Sequence, residues 1–222
     1  MSKVAVILAG CGFYDGAEIH ESVITLLALD KAGAEVQCFA PDINQMHVVN
    51  HLKGEVEGDE SRNVLVESAR IARGNIKDLS TAKATDFNAI IFPGGFGVAK
   101  NLCDFAVKGV KCSVNPDVKR FVLEGFQAGI PMGFICIAPA LIAKVLEGEE
   151  VDLKVTIGSD AETATAIEKM GATHVVYSVD NCLVDTENRI VTTPAYMLAN
   201  RISEAAVGIE KLVKEVLALT RK

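Results

Sequence analysis

Cys136 stands where an apolar run breaks off, Pro131-Met132-Gly133-Phe134-Ile135-Cys136, with Ile137-Ala138-Pro139-Ala140 after it. The run reads as a short buried parallel strand, and the small apolar residues that follow read as the start of a helix. A cysteine at such a turn has the geometry of a nucleophile elbow, with sulfur in place of the usual serine oxygen. The positive end of a helix dipole at that point favours the thiolate. The plainer alternative is a buried structural cysteine, a common fate of free thiols.

Two further segments carry residue types that an elbow nucleophile requires. Pro93-Gly94-Gly95-Phe96-Gly97 follows an apolar strand and precedes a helix containing Ala99-Lys100-Asn101. Its glycines let backbone amides turn inward, so Gly94 and Gly95, together with Ile137, are the candidate oxyanion donors. A phosphate loop is excluded because no Gly-Lys-Ser/Thr follows. Glu18, His20 and Glu21 cluster at the start of the first helix. A carboxylate beside Cys136 would oppose its ionisation, so an acid there works only when protonated and donating a hydrogen bond. The plainer reading is a solvated acid that complements the helix dipole.

Other patterns are weaker. Gly10-Cys11-Gly12 lacks the third glycine at the dinucleotide-binding spacing, since Gly16 comes one place late. His47 and His51 are four apart but lie in a loop-like segment without a third ligand, so no metal site is expected. His174 reads as a structural histidine in an apolar strand.

The elements that must position these residues alternate along the chain. Strands are expected at Lys3–Leu8, Glu35–Ala40, Phe87–Phe92, Pro131–Ile135 and Val155–Ile157. Leu183–Asp185 and Arg189–Thr192 bracket Thr186-Glu187-Asn188 as a hairpin. A first helix runs from about Glu18 to Ala32, with Ile19, Val23, Leu26 and Leu27 taken as its buried face and Gly33 closing it. Residues 41–62 are polar and irregular, and Asn63 caps a helix through Arg73. Asn115-Pro116 opens a helix to about Ala128, and Ser159-Asp160 caps one that Gly171 ends. Ala199–Leu219 forms a long amphipathic helix with Ile202, Ala206, Ile209, Val213 and Val216 inward.

This alternation predicts one α/β domain over residues 1–222, a three-layer sandwich with a mostly parallel sheet and helices on both faces. Ligands bind beyond the carboxyl ends of strands in such folds, which gathers the loops after residues 8, 40, 92, 135 and 192 around one crevice. Half of the 222 residues are hydrophobic, enough for a large core. No apolar stretch approaches the ~20 residues of a membrane span. With no leader-like pattern before Lys3, a cytoplasmic location is expected. A net charge of −7 without basic runs excludes a nucleic-acid partner. Six scattered cysteines without a Cys-x-x-Cys pair are expected to be free thiols.

Four segments in order carry a family resemblance: Ala9-Gly10-Cys11-Gly12-Phe13-Tyr14-Asp15-Gly16-Ala17-Glu18-Ile19-His20-Glu21, Pro93-Gly94-Gly95-Phe96-Gly97-Val98-Ala99-Lys100-Asn101-Leu102, Gly133-Phe134-Ile135-Cys136-Ile137-Ala138-Pro139-Ala140 and Thr192-Thr193-Pro194-Ala195-Tyr196-Met197-Leu198-Ala199. Nearly end to end, the chain resembles the ElbB ("enhancing lycopene biosynthesis") family of the PfpI-like, class I glutamine amidotransferase-like superfamily. The resemblance implies a flavodoxin-like fold, a homodimer, and Cys136 as the reactive residue. It also implies that a first-helix glutamate, Glu21 by position, hydrogen-bonds Cys136.

The departures from the superfamily pattern narrow the chemistry. Ile137 stands where proteases of the superfamily carry histidine, and His174 is followed by Val175-Val176 rather than the His-x-Glu of glutaminases. Gly158 stands where other members place a histidine after a strand, leaving His20 as the nearby replacement. What the resemblance implies is a glutathione-independent glyoxalase-type enzyme that converts small dicarbonyls to hydroxy acids with no cofactor. Cys136, Glu21 and His20 would be catalytic, and Gly94, Gly95 and Ile137 would bind the oxyanion. The alternative is a redox-responsive or binding protein that uses the same cysteine. A glutaminase subunit is the least favoured reading.

Overall fold

A computed structural model describes residues 1–220. Its strands are β1 (Lys3–Ile7), β2 (Glu35–Ala40), β3 (Val49–Asn50), β4 (Glu55–Val56), β5 (Ile76–Asp78), β6 (Ala89–Phe92), β7 (Met132–Ile135), β8 (Lys154–Val155), β9 (Thr173–His174), β10 (Leu183–Asp185) and β11 (Ile190–Thr193). Its α-helices are α1 (Ile19–Lys31), α2 (Val64–Ile71), α3 (Phe105–Lys108), α4 (Pro116–Gln127), α5 (Pro139–Val145), α6 (Ala161–Lys169) and α7 (Ile202–Leu219). The central sheet has the order β10-β11-β7-β6-β1-β2-β5. All its neighbours are parallel except the β10–β11 hairpin at one edge.

Strand alternation puts helices on both faces, as expected of a flavodoxin-like sandwich. At Gly133 an added Cβ would meet Leu212 and Val216 of α7, whereas Gly125 of α4 sits against Ile90 and Met132. Successive residues of β7 therefore face opposite helical layers. Phe92 and Phe134 stack within the sheet, with centroids 5.0 Å apart.

Local signals explain most boundaries. Asn63 and Asn115 accept from amides one turn into α2 and α4, and Asp160 does the same for α6. Beyond those elements the structure differs from expectation in five places. Strand β5 was not foreseen; three residues on a sheet edge leave little pattern. The 41–62 segment contains the β3–β4 hairpin. It is fastened to the loop after β1, where Val49 N donates to the buried Asp15 carboxylate at 2.7 Å. The helix expected around Ala99–Asn101 is a single π-helical turn, Val98–Leu102. Strand β8 pairs with β9 in a separate two-stranded ladder and does not join the central sheet.

The fifth difference concerns helix faces. Ile19, Val23 and Leu27 were expected inward, yet they are 43%, 48% and 47% exposed. The buried face of α1 is instead Glu21, Ser22, Ile24, Thr25, Ala28 and Leu29. Its hydroxyls are satisfied within the helix, Ser22 Oγ donating to Glu18 O and Thr25 Oγ1 to Glu21 O, each at 2.7 Å. Polar residues satisfied in this way can be buried at little cost, so hydrophobic phase misassigns the helix. In α7, Ile202 is likewise exposed, while Ile209, Val213 and Val216 are buried as expected.

No helix among the described residues is long and apolar enough to cross a membrane.

Candidate active site at the Cys136 elbow

Strand β7 delivers Cys136 to the carboxyl edge of the sheet, and the chain turns there with φ 64°. A non-glycine residue in this left-handed region costs roughly 1–2 kcal/mol, which surrounding contacts must hold. One hold is direct: Cys136 N donates to Thr193 O of the neighbouring β11 at 2.9 Å. The residue as a whole is 8% exposed. Helix α5 starts only at Pro139 and spans seven residues, so Ile137 and Ala138 form a turn between elbow and helix.

Glu21 reaches the thiol from the first turn of α1 and is completely buried. Its backbone N donates to the Glu18 side chain at 2.7 Å, which caps the helix and fixes where it begins. Its carboxyl accepts two backbone amides from strand ends, Gly94 N at 2.9 Å and Tyr196 N at 3.2 Å. It also hydrogen-bonds Cys136. Burial, with the Glu18 charge behind it, pushes the Glu21 carboxyl up to about 8, against the pull of those hydrogen bonds. Burial and the Glu21 charge push the Cys136 thiol well above the usual thiol range, while the Gly95 and Ile137 amides pull it back. The expectation that the elbow alone would favour thiolate is thus corrected. Elbow and acid together hold at most one negative charge near neutral pH.

The glycine loop is tight because another loop crosses it. Glu18 N donates to Gly94 O at 2.9 Å, Phe96 N to Phe13 O at 2.8 Å and Gly97 N to Gly16 O at 2.8 Å. A Cβ on Gly94 would overlap the Cys136 side chain and lie 2.6 Å from Glu21 Oε2. The Gly94 amide is occupied by Glu21, so it is withdrawn from the oxyanion set. The Gly95 and Ile137 amides hydrogen-bond the Cys136 sulfur.

His20 is exposed, and its Nδ1 hydrogen-bonds the Tyr196 hydroxyl at 2.8 Å. Sequence reasoning missed Tyr196, which supplies one amide to Glu21 and a hydroxyl to His20. The backbone signal was equally hidden: Ala195, immediately before it, has φ 43°. The absent histidine at Gly158 has a steric reason, because an added Cβ would lie 2.6 Å from Leu198 Cγ. Leu198 belongs to the same segment that carries Tyr196.

The remaining histidines have structural partners. His51 Nε2 accepts from Tyr14 N at 3.3 Å, so its Nδ1–H donates to Val49 O at 3.0 Å. His174 Nε2 accepts from Ile157 N at 3.3 Å. Among the described residues no group of His, Cys, Asp or Glu is arranged to hold a metal ion.

No protein-family model matches the chain. The human protein named glutamine amidotransferase-like class 1 domain-containing protein 3, mitochondrial, is 51% identical over 100% of this chain and 84% of its own length. The crystal structure of an isoprenoid biosynthesis protein with amidotransferase-like domain from Ehrlichia chaffeensis is 39% identical, with TM-score 0.92 over 99% of each chain. A glyoxalase III from Candida albicans, 18% identical, shares the fold with TM-score 0.62 over 98% of this chain and 97% of its own. The expected cytoplasmic location is corrected by the relatives' names, since the human, rat and zebrafish proteins are all designated mitochondrial.

Proposed function

The chain belongs to the glutamine amidotransferase-like class 1 (ES1) family, and from the geometry of its site we propose that it is a cysteine-dependent, glutathione-independent glyoxalase-type enzyme for small dicarbonyls. One observation carries this reading. A fully buried carboxyl, held by two backbone amides and raised to about 8, lies in hydrogen-bond contact with the elbow thiol. A group with that pKa is poised to give and take protons near neutrality.

The Cys136 sulfur attacks the aldehyde carbon of a glyoxal-type substrate, and its proton passes through Glu21 to the new alkoxide, giving a hemithioacetal. Glu21 then removes the proton from the former aldehyde carbon and returns it to the adjacent carbonyl carbon, while the hydroxyl proton passes from the first oxygen to the second. One carbon is oxidised and its neighbour reduced, so no external oxidant is needed. Water cleaves the resulting thioester and releases the 2-hydroxy acid and the free thiol. The Gly95 and Ile137 amides, already directed at the sulfur, stabilise the charge that develops beside it. His20, whose Nδ1 hydrogen-bonds the Tyr196 hydroxyl, is the side chain we assign to accept the proton of the attacking water.

The test is conversion of methylglyoxal to lactate by the purified protein without glutathione. Conversion that disappears in Cys136→Ala supports the reading. Lack of turnover in the wild-type protein, with Cys136 oxidised selectively by mild peroxide, would replace it with the redox-responsive alternative.

A further inference from the structure

Away from the elbow, the chain leaves the π-helical turn at Leu102, makes an excursion through α3 and a 3-10 turn at Gly109–Lys111, and returns at Cys112. The base of this excursion is a short antiparallel pairing centred on Cys103 and Val114. Asp104 N donates to Ser113 O at 3.1 Å, and Asn115 N to Leu102 O at 2.8 Å. Side chains two residues apart on a strand share a face, so Cys112 lies diagonally across from Cys103 on the same side as Val114. Both cysteines are 4% exposed, and each thiol perturbs the ionisation of the other, as neighbouring groups do.

We propose that Cys103 and Cys112 are an oxidisable dithiol, a modification site at which a hydroperoxide forms an intramolecular disulfide across the base of the 104–111 excursion.

Three features support this chemistry. Lys144 of α5 reaches the excursion, its Nζ donating to Val110 O at 2.8 Å, and its positive charge acts on Cys112. The Cys103 S–H donates to Val98 O at 3.3 Å, and Cys103 as a neighbour favours ionisation of Cys112. Together these hold the Cys112 thiol below its usual range and push Cys103 above it, the pattern of an attacking sulfur beside a resolving one. The cover is weak as well: neither α3 nor the Gly109–Lys111 turn has a buried residue. Such a segment opens locally at low cost and admits a small oxidant.

The steps balance. The Cys112 thiolate attacks the outer oxygen of the hydroperoxide, the O–O bond breaks, and the alcohol or water leaves with one proton taken from solvent. The Cys112 sulfenic acid then reacts with the Cys103 thiol, forming the S–S bond and releasing water. The two sulfurs have lost two electrons, which the O–O bond has taken up.

The experiment treats the reduced full-length protein with hydrogen peroxide, blocks remaining thiols by alkylation, and maps tryptic peptides. Cleavage after Lys100, Lys108, Lys111 and Lys119 separates the two cysteines onto peptides 101–108 and 112–119. The expected result is those two peptides joined by a disulfide, about tenfold or more above any other cysteine pair, and separated again by a dithiol reductant. Cys103→Ser is expected to leave Cys112 as a sulfenic acid that dimedone traps. Cys136→Ala is expected to form the same bridge, so the outcome is independent of the elbow chemistry. Cys112 driven to sulfinate while Cys103 still alkylates, or both thiols unoxidised after Cys136 has reacted, would overturn the proposal. The wild-type map decides the matter even where a serine variant fails to fold.

Discussion

The protein holds two thiol sites whose surroundings act in opposite directions. At the elbow, the neighbour of Cys136 is an acid, and burial with that acid's charge raises the thiol. At the base of the excursion, the neighbours of Cys112 are a second thiol and the Lys144 ammonium, and the thiol is lowered. Both sulfurs are nearly inaccessible, so burial alone does not separate them; the partner does. Cys136 gains a group that can move a proton during a reaction, at the cost of thiolate at rest. Cys112 gains a thiol that ionises more readily, beside a sulfur that can close a bond with it. The contrast suits proton transfer at the first site and, on our proposal, oxidation at the second.

The largest effect that would sharpen this contrast comes from Cys136→Ala. It is expected to lower dicarbonyl turnover by about 10³-fold or more, while the Cys103–Cys112 bridge still forms under peroxide; turnover that survived would remove the elbow's role. Next is Glu21→Gln, which keeps the shape but cannot shuttle a proton, and turnover is expected to fall by about 10²- to 10⁴-fold. Tyr196→Phe keeps the amide that holds Glu21 and deletes only the hydroxyl on His20. A loss of about tenfold in kcat is expected, with a thioester accumulating on Cys136 by intact mass. Cys112→Ser is expected to change turnover by less than about twofold, because its sulfur takes no part in the elbow chemistry.

The pH dependence of stability offers an independent check on Glu21. Its folded carboxyl is raised to about 8, so the native state keeps a proton that the unfolded chain loses in the ordinary carboxylate range. The associated stability is therefore fully present below that range and declines as pH rises toward about 8. Urea midpoints across this window should fall for the wild-type protein and fall less steeply for Glu21→Gln. A wild-type midpoint that rose through the same window would show the carboxyl to be ionised throughout.

The sheet and the elbow were legible because their patterns are strong: apolar strands ending at glycine loops, and asparagine or aspartate caps at helix starts. Glu21 was singled out as the acid that the family resemblance implies beside Cys136, and it is found against Cys136. Its role there could not be read from hydrophobicity, which placed Val23 and Leu27 inward. The buried hydroxyls of Ser22 and Thr25 turn the helix the other way by bonding to carbonyls one turn back. Tyr196 was invisible for a different reason. Its contribution to Glu21 is a backbone amide, aimed by the positive φ of Ala195, and neither feature has a side-chain signature. Gly94 was identified for the right property, a backbone free of a side chain, but its amide goes to the acid rather than to a substrate oxygen. The Cys103–Cys112 pair has a spacing of nine residues with no motif, and only the antiparallel return of the chain brings the two together.

As pH rises through about 8 and Glu21 gives up its proton, the carboxylate beside Cys136 also acts as an electrostatic filter on what enters. A unit negative charge meeting another at about 4 Å is repelled by about 4 kcal/mol at the effective dielectric of such sites. That corresponds to roughly a thousandfold discrimination. Carbonyl compounds bearing their own carboxylate, such as glyoxylate, are disfavoured by this repulsion, whereas uncharged ones of the same size pass. The fixed acid that tunes the sulfur would thereby set the charge class of molecule that reaches it.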